Sequence, residues 1–397
     1  MSIAPAVTAR PERLWAALLA ATLLNLPLGS VYSFSVFLRP IELELAIPRS
    51  ALSLVFGMAT VGFTVGSVAA ALVFRIASAP VLIFASALIA AGGIAIAATA
   101  AGMVQLLIGY GVVFGTGGGV AYILLQQGAN MLVRRRQGLV NGYIVSLYPL
   151  GAMIATPAFH WCNEAFGWRT TLAGLAVVLM GCGAAAALLV RHGGARLTVA
   201  AGTTPAVPGK LGLTFFKLSA TFFLAACAGL MVLSQAREIV AAYGGAATLA
   251  VAATTGITGA IALARLSGGW LVDRFAVPQV MCGAHGLALC GGVLLTLFPS
   301  PATAVIGLGM VGMGYGFISG STAGGIGIYW RPVDFGRVAG RTYIAWCLAA
   351  VSLPVLAGYL FDLTRGYGAA VVIAGVGNLA GMAVALTLPR QGWRDRG

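Results

Sequence analysis

The 397-residue chain is 60% hydrophobic and only 8% charged, with a mean hydropathy of +0.97. That balance excludes a soluble globular domain. The net charge of +14 would suit nucleic acid or acidic lipid, but the basic residues are spread over many loops rather than gathered in a patch, so no nucleic-acid partner is expected.

Apolar runs long enough to cross a bilayer recur along the whole chain. Twelve are expected, at about 14–38, 51–73, 79–100, 103–131, 138–160, 169–190, 214–242, 246–271, 278–298, 302–329, 336–361 and 367–388. A β-barrel would show short alternating segments instead. The fold class is therefore an all-α polytopic membrane protein, with the lipid bilayer as its surroundings.

Charge sets the expected orientation. With the N-terminus inside, Arg10, Arg13, Arg75, Arg134, Arg135, Arg136, Arg191, Lys210, Arg274, Arg331, Arg337 and the tail arginines share one side, while Arg39, Arg49, Arg169, Arg237 and Arg365 stand on the other. That is the positive-inside bias, and it places both termini in the cytoplasm of a multi-pass protein of the cell membrane. The N-terminal run continues to about Leu38, which is too long for a cleaved signal and reads as the first helix.

In chain order, the first helix holds Asn25, Pro27 and Gly29, followed by Ser30, Tyr32, Ser33 and Ser35. Proline and hydroxyls at such a depth suit a helix facing neighbours or a cavity. The second helix carries Gly57, Gly62 and Gly66, which suit close helix packing. The fourth runs through Gly115, Gly117, Gly118 and Gly119 to Tyr122, Gln126 and Asn130. With no preceding strand and no following lysine, its glycines are packing residues rather than a nucleotide loop. Tyr122, Gln126 and Asn130 recur every four residues, so they share a face that could meet a polar cavity. The fifth helix brings Tyr143, Tyr148, Pro149 and Pro157, with His160 expected at its interfacial end. The six cysteines show no metal-ligand spacing, and no cofactor or metal is expected.

Between 191 and 213 the composition turns to Gly, Pro and Thr, as in a linker. The expected domains are a six-helix half at 1–190, a cytoplasmic linker at 191–213, and a second six-helix half at 214–397. The second half repeats the first: Gly115, Gly117 and Gly119 recur as Gly312, Gly314 and Gly316, an offset of 197, and Gly138 and Gly142 recur as Gly336 and Gly340, an offset of 198. Arg75 and Pro80 recur as Arg274 and Pro278. Two parallel six-helix halves resemble the build of the major facilitator superfamily, and that resemblance implies a solute site near the midplane, between the halves.

The eighth helix carries the one charge well inside an apolar run, Arg265. Such a residue costs about 2.5–3.5 kcal/mol on insertion scales, so a function is its default reading and snorkelling the plain alternative. Thr254, Thr258, Arg265, Gly268 and Gly269 fall on one helical face, a stripe suited to lining a wet cavity. A guanidinium fork matches a carboxylate with two hydrogen bonds.

Gly269, Asp273 and Arg274 resemble the cytoplasmic loop motif of the major facilitator superfamily, with Phe74 standing where the first-half copy would have its aspartate. Gly29-Ser-Val-Tyr32-Ser-Phe-Ser-Val-Phe, the Gly-rich fourth helix ending Ala121-Tyr122, and Arg136-Gln-Gly138-Leu-Val-Asn141-Gly142 resemble the oxalate/formate antiporters and monocarboxylate transporters. The resemblance implies a non-enzymatic carrier that exchanges or takes up a small organic anion by rocking its two halves. It implies a substrate site of Arg265, Tyr32, Tyr122, Gln126, Tyr148, Tyr315 and Trp346, and gating through Gly269, Asp273 and Arg274. Trp346 stands near the position where oxalate carriers have a lysine, and Ile261 where monocarboxylate transporters have an aspartate. One carboxylate per substrate and a monomeric carrier are expected. The alternative is a facilitator for another small solute, a drug or a sugar. For proton coupling, Glu238 is the only acid placed inside a helix, and His285 falls on a peripheral segment.

Overall fold

The computed structural model describes residues 11–74, 76–133, 135–193, 211–390 and 392. The expected linker, apart from its first and last few residues, and Arg75, Arg134 and Lys210 lie outside the described residues. Among those described the regular structure is entirely helical. In the first half the helices are α1 (Pro11–Gly29), α2 (Ser35–Leu45), α3 (Arg49–Val73), α4 (Ala79–Ala98), α5 (Met103–Leu106), α6 (Gly115–Leu132) and α7 (Gln137–His192). The second half has α8 (Gly212–Ala242), α9 (Ala247–Val272), α10 (Val277–Leu297), α11 (Pro301–Tyr329), α12 (Phe335–Ala350), α13 (Leu353–Thr364) and α14 (Gly368–Leu386). Proline near the first turn of α4, α10 and α11 sits where its missing N–H costs nothing.

Five crossings differ from the expected runs. The first is not one helix: after Pro27 the chain tightens into a 3₁₀ turn at Ser30–Ser33 and continues as α2 to Leu45. That turn swings Tyr32 into the interior. Ser33 Oγ ties it to α7, 3.1 Å from the Ala152 carbonyl and 2.8 Å from Thr156 Oγ1. The fourth crossing widens into a π-helical stretch over Leu107–Phe114, where Gly109 and Gly111 leave room against α4 and α3.

The fifth and sixth crossings form one 56-residue helix, α7, broken at a single residue. Gly167 has φ 80° and ψ 159°, a conformation that glycine alone adopts readily, and it supplies the whole turn. Residues 161–166, expected as a loop, contain no helix breaker and stay helical; His160 is accordingly mid-helix and exposed, 3.4 Å from Glu164. The eleventh crossing breaks at Val351 and Ser352, just before Pro354, whose ring excludes a regular helix through the preceding turn. Counting α7 twice and α12–α13 once, the described residues hold twelve spans long and apolar enough to cross a membrane.

The helices pack as two bundles. In the first, α1 and α4 lie along α7, and α3 lies along α6; in the second, α11 joins α9 and α10, and α14 covers α8 and α10. Between the halves α7 meets α9 and α11, and α3 meets α12. These crossings rely on paired small residues: a methyl group on Gly142 would lie 2.7 Å from the Arg265 carbonyl oxygen, and one on Gly269 would lie 2.7 Å from Gly142 Cα. Large apolar side chains such as Trp15, Leu54, Leu72, Val104 and Leu263 point outward, as a lipid-facing surface requires.

Candidate functional site

Between the halves lies a narrow cavity. Its walls come from α1 and the turn after it, α3, α6, α7, α8, α9, α11 and α12. Half of the lining residues are aromatic. Phe63 on α3 is the hub, with ring centroids 5.5 Å from Tyr122, 5.7 Å from Tyr148, 5.5 Å from Tyr343 and 5.9 Å from Trp346. These rings meet edge-on or tilted, the arrangements that bring a positive ring edge to a negative face. Two belong to the first half's α6 and α7 and two to α12, so the cluster bridges both bundles.

Arg265 projects into this cage and is 3% exposed. It does not snorkel. Its Nη1 donates to the Val145 carbonyl at 3.2 Å, across the interface between halves, and its Nη2 donates to the Tyr315 hydroxyl at 3.0 Å. The guanidinium carbon lies 5.2 Å from the Tyr315 ring centroid, which adds a cation–π contact. Nε has no partner.

Counting donors and acceptors defines what the cavity lacks. Trp346 Nε1 also donates to the Tyr315 hydroxyl, at 3.1 Å. Guanidinium and indole N–H groups only donate, so the Tyr315 oxygen accepts twice and its own proton must point elsewhere. The Tyr343 hydroxyl donates to the Tyr122 hydroxyl at 2.7 Å, which leaves the Tyr122 proton to pass on. The Tyr148 hydroxyl has no partner. Among the described lining residues there is no carboxylate and no imidazole. The arrangement holds a buried cation and several spare O–H donors, and it lacks an anionic acceptor.

Of the residues expected in the site, Arg265, Tyr32, Tyr122, Tyr148, Tyr315 and Trp346 all line this cavity. Gln126 does not; it lies one helical turn beyond Tyr122, buried and without a partner for either amide atom. Thr254 and Thr258 share Arg265's face by spacing, yet each hydroxyl bonds back to its own helix, to the carbonyls of Ala250 and Thr254. Gly268 packs on Phe317 and Gly269 on α7, so that stripe is mainly a packing surface. Phe63, Phe222, Ser319 and Tyr343 complete the wall, and spacing alone could not find them because each helix offers several aromatic or hydroxyl residues. Glu238 is exposed on α8, and His285 is fully buried between α10 and α14 with Nδ1 2.9 Å from Asn378 Oδ1; neither lines the cavity.

The halves are latched at the Asp273 end. The Asp273 carboxylate accepts hydrogen bonds from the backbone N–H groups of Gly138 and Leu139, both at 2.8 Å, at the N-terminus of α7. Free N–H groups and the helix dipole favour a negative charge there. Burial nevertheless pushes the Asp273 carboxyl above the usual carboxylate range, against the pull of those N–H donors and Arg136. Arg274, just past the end of α9, lies 3.9 Å over the Trp270 ring.

The matching latch in the first half uses different chemistry. Gly336, the repeat of Gly138, opens α12, and Phe74 packs against it instead of an aspartate. Its N–H donates to Gln127 Oε1, while Gln127 Nε2 donates to the Pro332 carbonyl at 2.7 Å. Gln127, on α6, takes over the acceptor role that Phe74 cannot fill. Its counterpart in the second half, at the same 197-residue offset, is Gly324, which leaves room for Val272 and Gly138. The lost aspartate was the only sequence signal that another acceptor was needed at Gly336.

Known proteins agree with this architecture. Monocarboxylate transporter 13 of Bos taurus is 27% identical over 316 residues, covering 75% of this chain and 70% of that protein. Monocarboxylate transporter 13 of Rattus norvegicus is 28% identical over 388 residues, covering 91% and 85%. The crystal structure of the transporter FucP in its outward conformation superposes with a TM-score of 0.72 at 14% identity, over 96% of this chain and all of that one, which establishes the fold alone. A sequence profile described as Major Facilitator Superfamily matches residues 18–324, so the chain belongs to the Major Facilitator Superfamily of membrane transporters.

Proposed function

We propose that the chain carries small organic anions, monocarboxylates foremost, across the cell inner membrane by alternating access, with Arg265 taking the carboxylate. The buried guanidinium, with no anionic partner in the cavity wall, carries this reading. A carboxylate only accepts hydrogen bonds, and it meets a buried guanidinium together with the Tyr315, Tyr122 and Tyr148 hydroxyls. A neutral sugar could bond the same tyrosine, Thr60 and Ser319 hydroxyls, but it would leave the buried charge of Arg265 uncompensated. Two mammalian relatives are named monocarboxylate transporters, which supports the same substrate class.

The working parts follow from this reading. Residues 1–190 and 214–397 act as the two moving halves, joined by a linker at 191–213. Both termini and the Asp273 end face the cytoplasm, and the carrier acts as a monomer. With no acid or imidazole in the cavity wall, Arg265 keeps its charge throughout the cycle. A bound monocarboxylate neutralises it, so the loaded protein reorients at lower cost than the empty one. That makes the protein an anion antiporter.

The test is uptake of labelled formate, lactate, pyruvate and oxalate into proteoliposomes. The expected result is uptake of a monocarboxylate, accelerated by counter-anion inside and little changed by a pH gradient alone. Concentrative uptake driven by an inward proton gradient without internal anion would overturn exchange. Transport of sugars with no competition from any acid would overturn the substrate class.

A further inference from the structure

Two amide side chains of the first half have no partner for any polar atom. Asn25 on α1 is fully buried and Gln126 on α6 is 1% exposed. None of Asn25 Oδ1 and Nδ2 or Gln126 Oε1 and Nε2 is hydrogen-bonded. A buried amide left unpaired is costly, so each such group points to an occupant or to another state that satisfies it.

Helix register puts both amides in one layer. α1 runs parallel to α7: the Thr22 hydroxyl lies 2.5 Å from the Tyr143 hydroxyl, and Gly29 abuts the Tyr148 backbone. Asn25, between those contacts, is level with Val145. α6 runs antiparallel to α7: Asn130 Nδ2 donates to Asn141 Oδ1 at 2.8 Å, and the Tyr122 and Tyr148 rings stand 5.1 Å apart. Gln126, midway between those contacts, is also level with Val145. The Val145 carbonyl is the one that receives Arg265 Nη1. Neither amide lines the present cavity.

We propose that Asn25 and Gln126 form a second, release-side site for the substrate carboxylate, which takes it over from Arg265 when the Asp273 end opens. This rests on the carboxylate reading above. Opening that end must part α7 from α9, because Gly142 and Gly138 press on Arg265 and Gly269 there. Parting them breaks the Arg265–Val145 bond and lays the amide layer open. Asn25 Nδ2 and Gln126 Nε2 then offer N–H donors from the half opposite Arg265. Neutral donors hold an anion less firmly than a guanidinium, which suits a site that has to release its ligand.

The test uses pyruvate exchange by the full-length protein in proteoliposomes of known orientation, with half-saturation measured separately at each face. Asn25→Leu and Gln126→Leu should each raise half-saturation at the Asp273 face about fivefold, the worth of one neutral hydrogen bond, and leave the opposite face unchanged. Gln126→Glu should raise it further by repelling the anion. Should Gln126→Leu fail to reconstitute, Gln126→Met, of nearly the same length, carries the same test. Equal shifts at both faces, or none, would mean that the layer holds only water and would overturn the proposal. Arg265→Gln separates the two readings. If it abolishes exchange while the leucine variants behave as wild type, the release site alone falls. If Arg265→Gln exchanges pyruvate like wild type, or wild type does not exchange pyruvate at all, the carboxylate reading falls and this inference with it.

Discussion

Replacing Arg265 by glutamine tests the centre of the site. The side chain holds two structural hydrogen bonds, to Val145 and Tyr315, and has Nε to spare. A carboxylate displacing one of these bonds would gain two charge-assisted hydrogen bonds, each worth about 1.5–3 kcal/mol. Losing both weakens binding by about 3–6 kcal/mol, or roughly 10²–10⁴-fold. Arg265→Lys keeps the charge but not the fork, so it should lose about 10–100-fold. Because glutamine also removes a buried charge, thermal stability should hold or rise while transport disappears. The assay is equilibrium binding of labelled pyruvate to purified protein, with uptake in proteoliposomes and a melting curve in parallel. Unchanged affinity in a well-folded Arg265→Gln protein would refute the assignment of the carboxylate to Arg265.

Trp346→Lys puts a second cation beside Tyr315, so preference should shift towards dicarboxylates such as oxalate; competition against labelled pyruvate reads it. Gln127→Ala removes the Gly336 acceptor and leaves the Asp273 latch intact, so the Asp273 end should open more often. Faster labelling of a cysteine introduced at Gly327, where an added side-chain carbon would meet nothing nearer than Asn130 Oδ1 at 3.2 Å, would measure this, and labelling at the rate of the Gln127-containing parent would count against the latch. At the opposite end, Glu44 accepts from Trp168 Nε1 at 2.5 Å and Arg169 Nε at 2.8 Å, and those two partners hold its carboxyl below the usual range. The clamp is therefore present above the ordinary carboxylate range and lost as pH falls through the lowered value. Melting temperature should drop over that acid window in wild type, and the drop should shrink in Glu44→Gln.

Chain order alone determined the properties that depend on local composition. Hydropathy located all twelve crossings, because a segment must be apolar along its whole length to span a bilayer whatever it packs against. The 197- and 198-residue offsets exposed the two halves, and Arg265 stood out because a charge at such depth needs a use. What each helix face meets was decided only in three dimensions. Thr258 and Arg265 share a face by spacing, yet one bonds to its own helix and the other enters the cavity. Tyr122 and Gln126 share a stripe, yet one lines the cavity and the other sits beneath it. Gln127 became a latch because residue 74 is phenylalanine and Gly336 lies on another half of the molecule. Such outcomes depend on contacts between residues 50 to 209 positions apart, and helical periodicity describes one helix at a time.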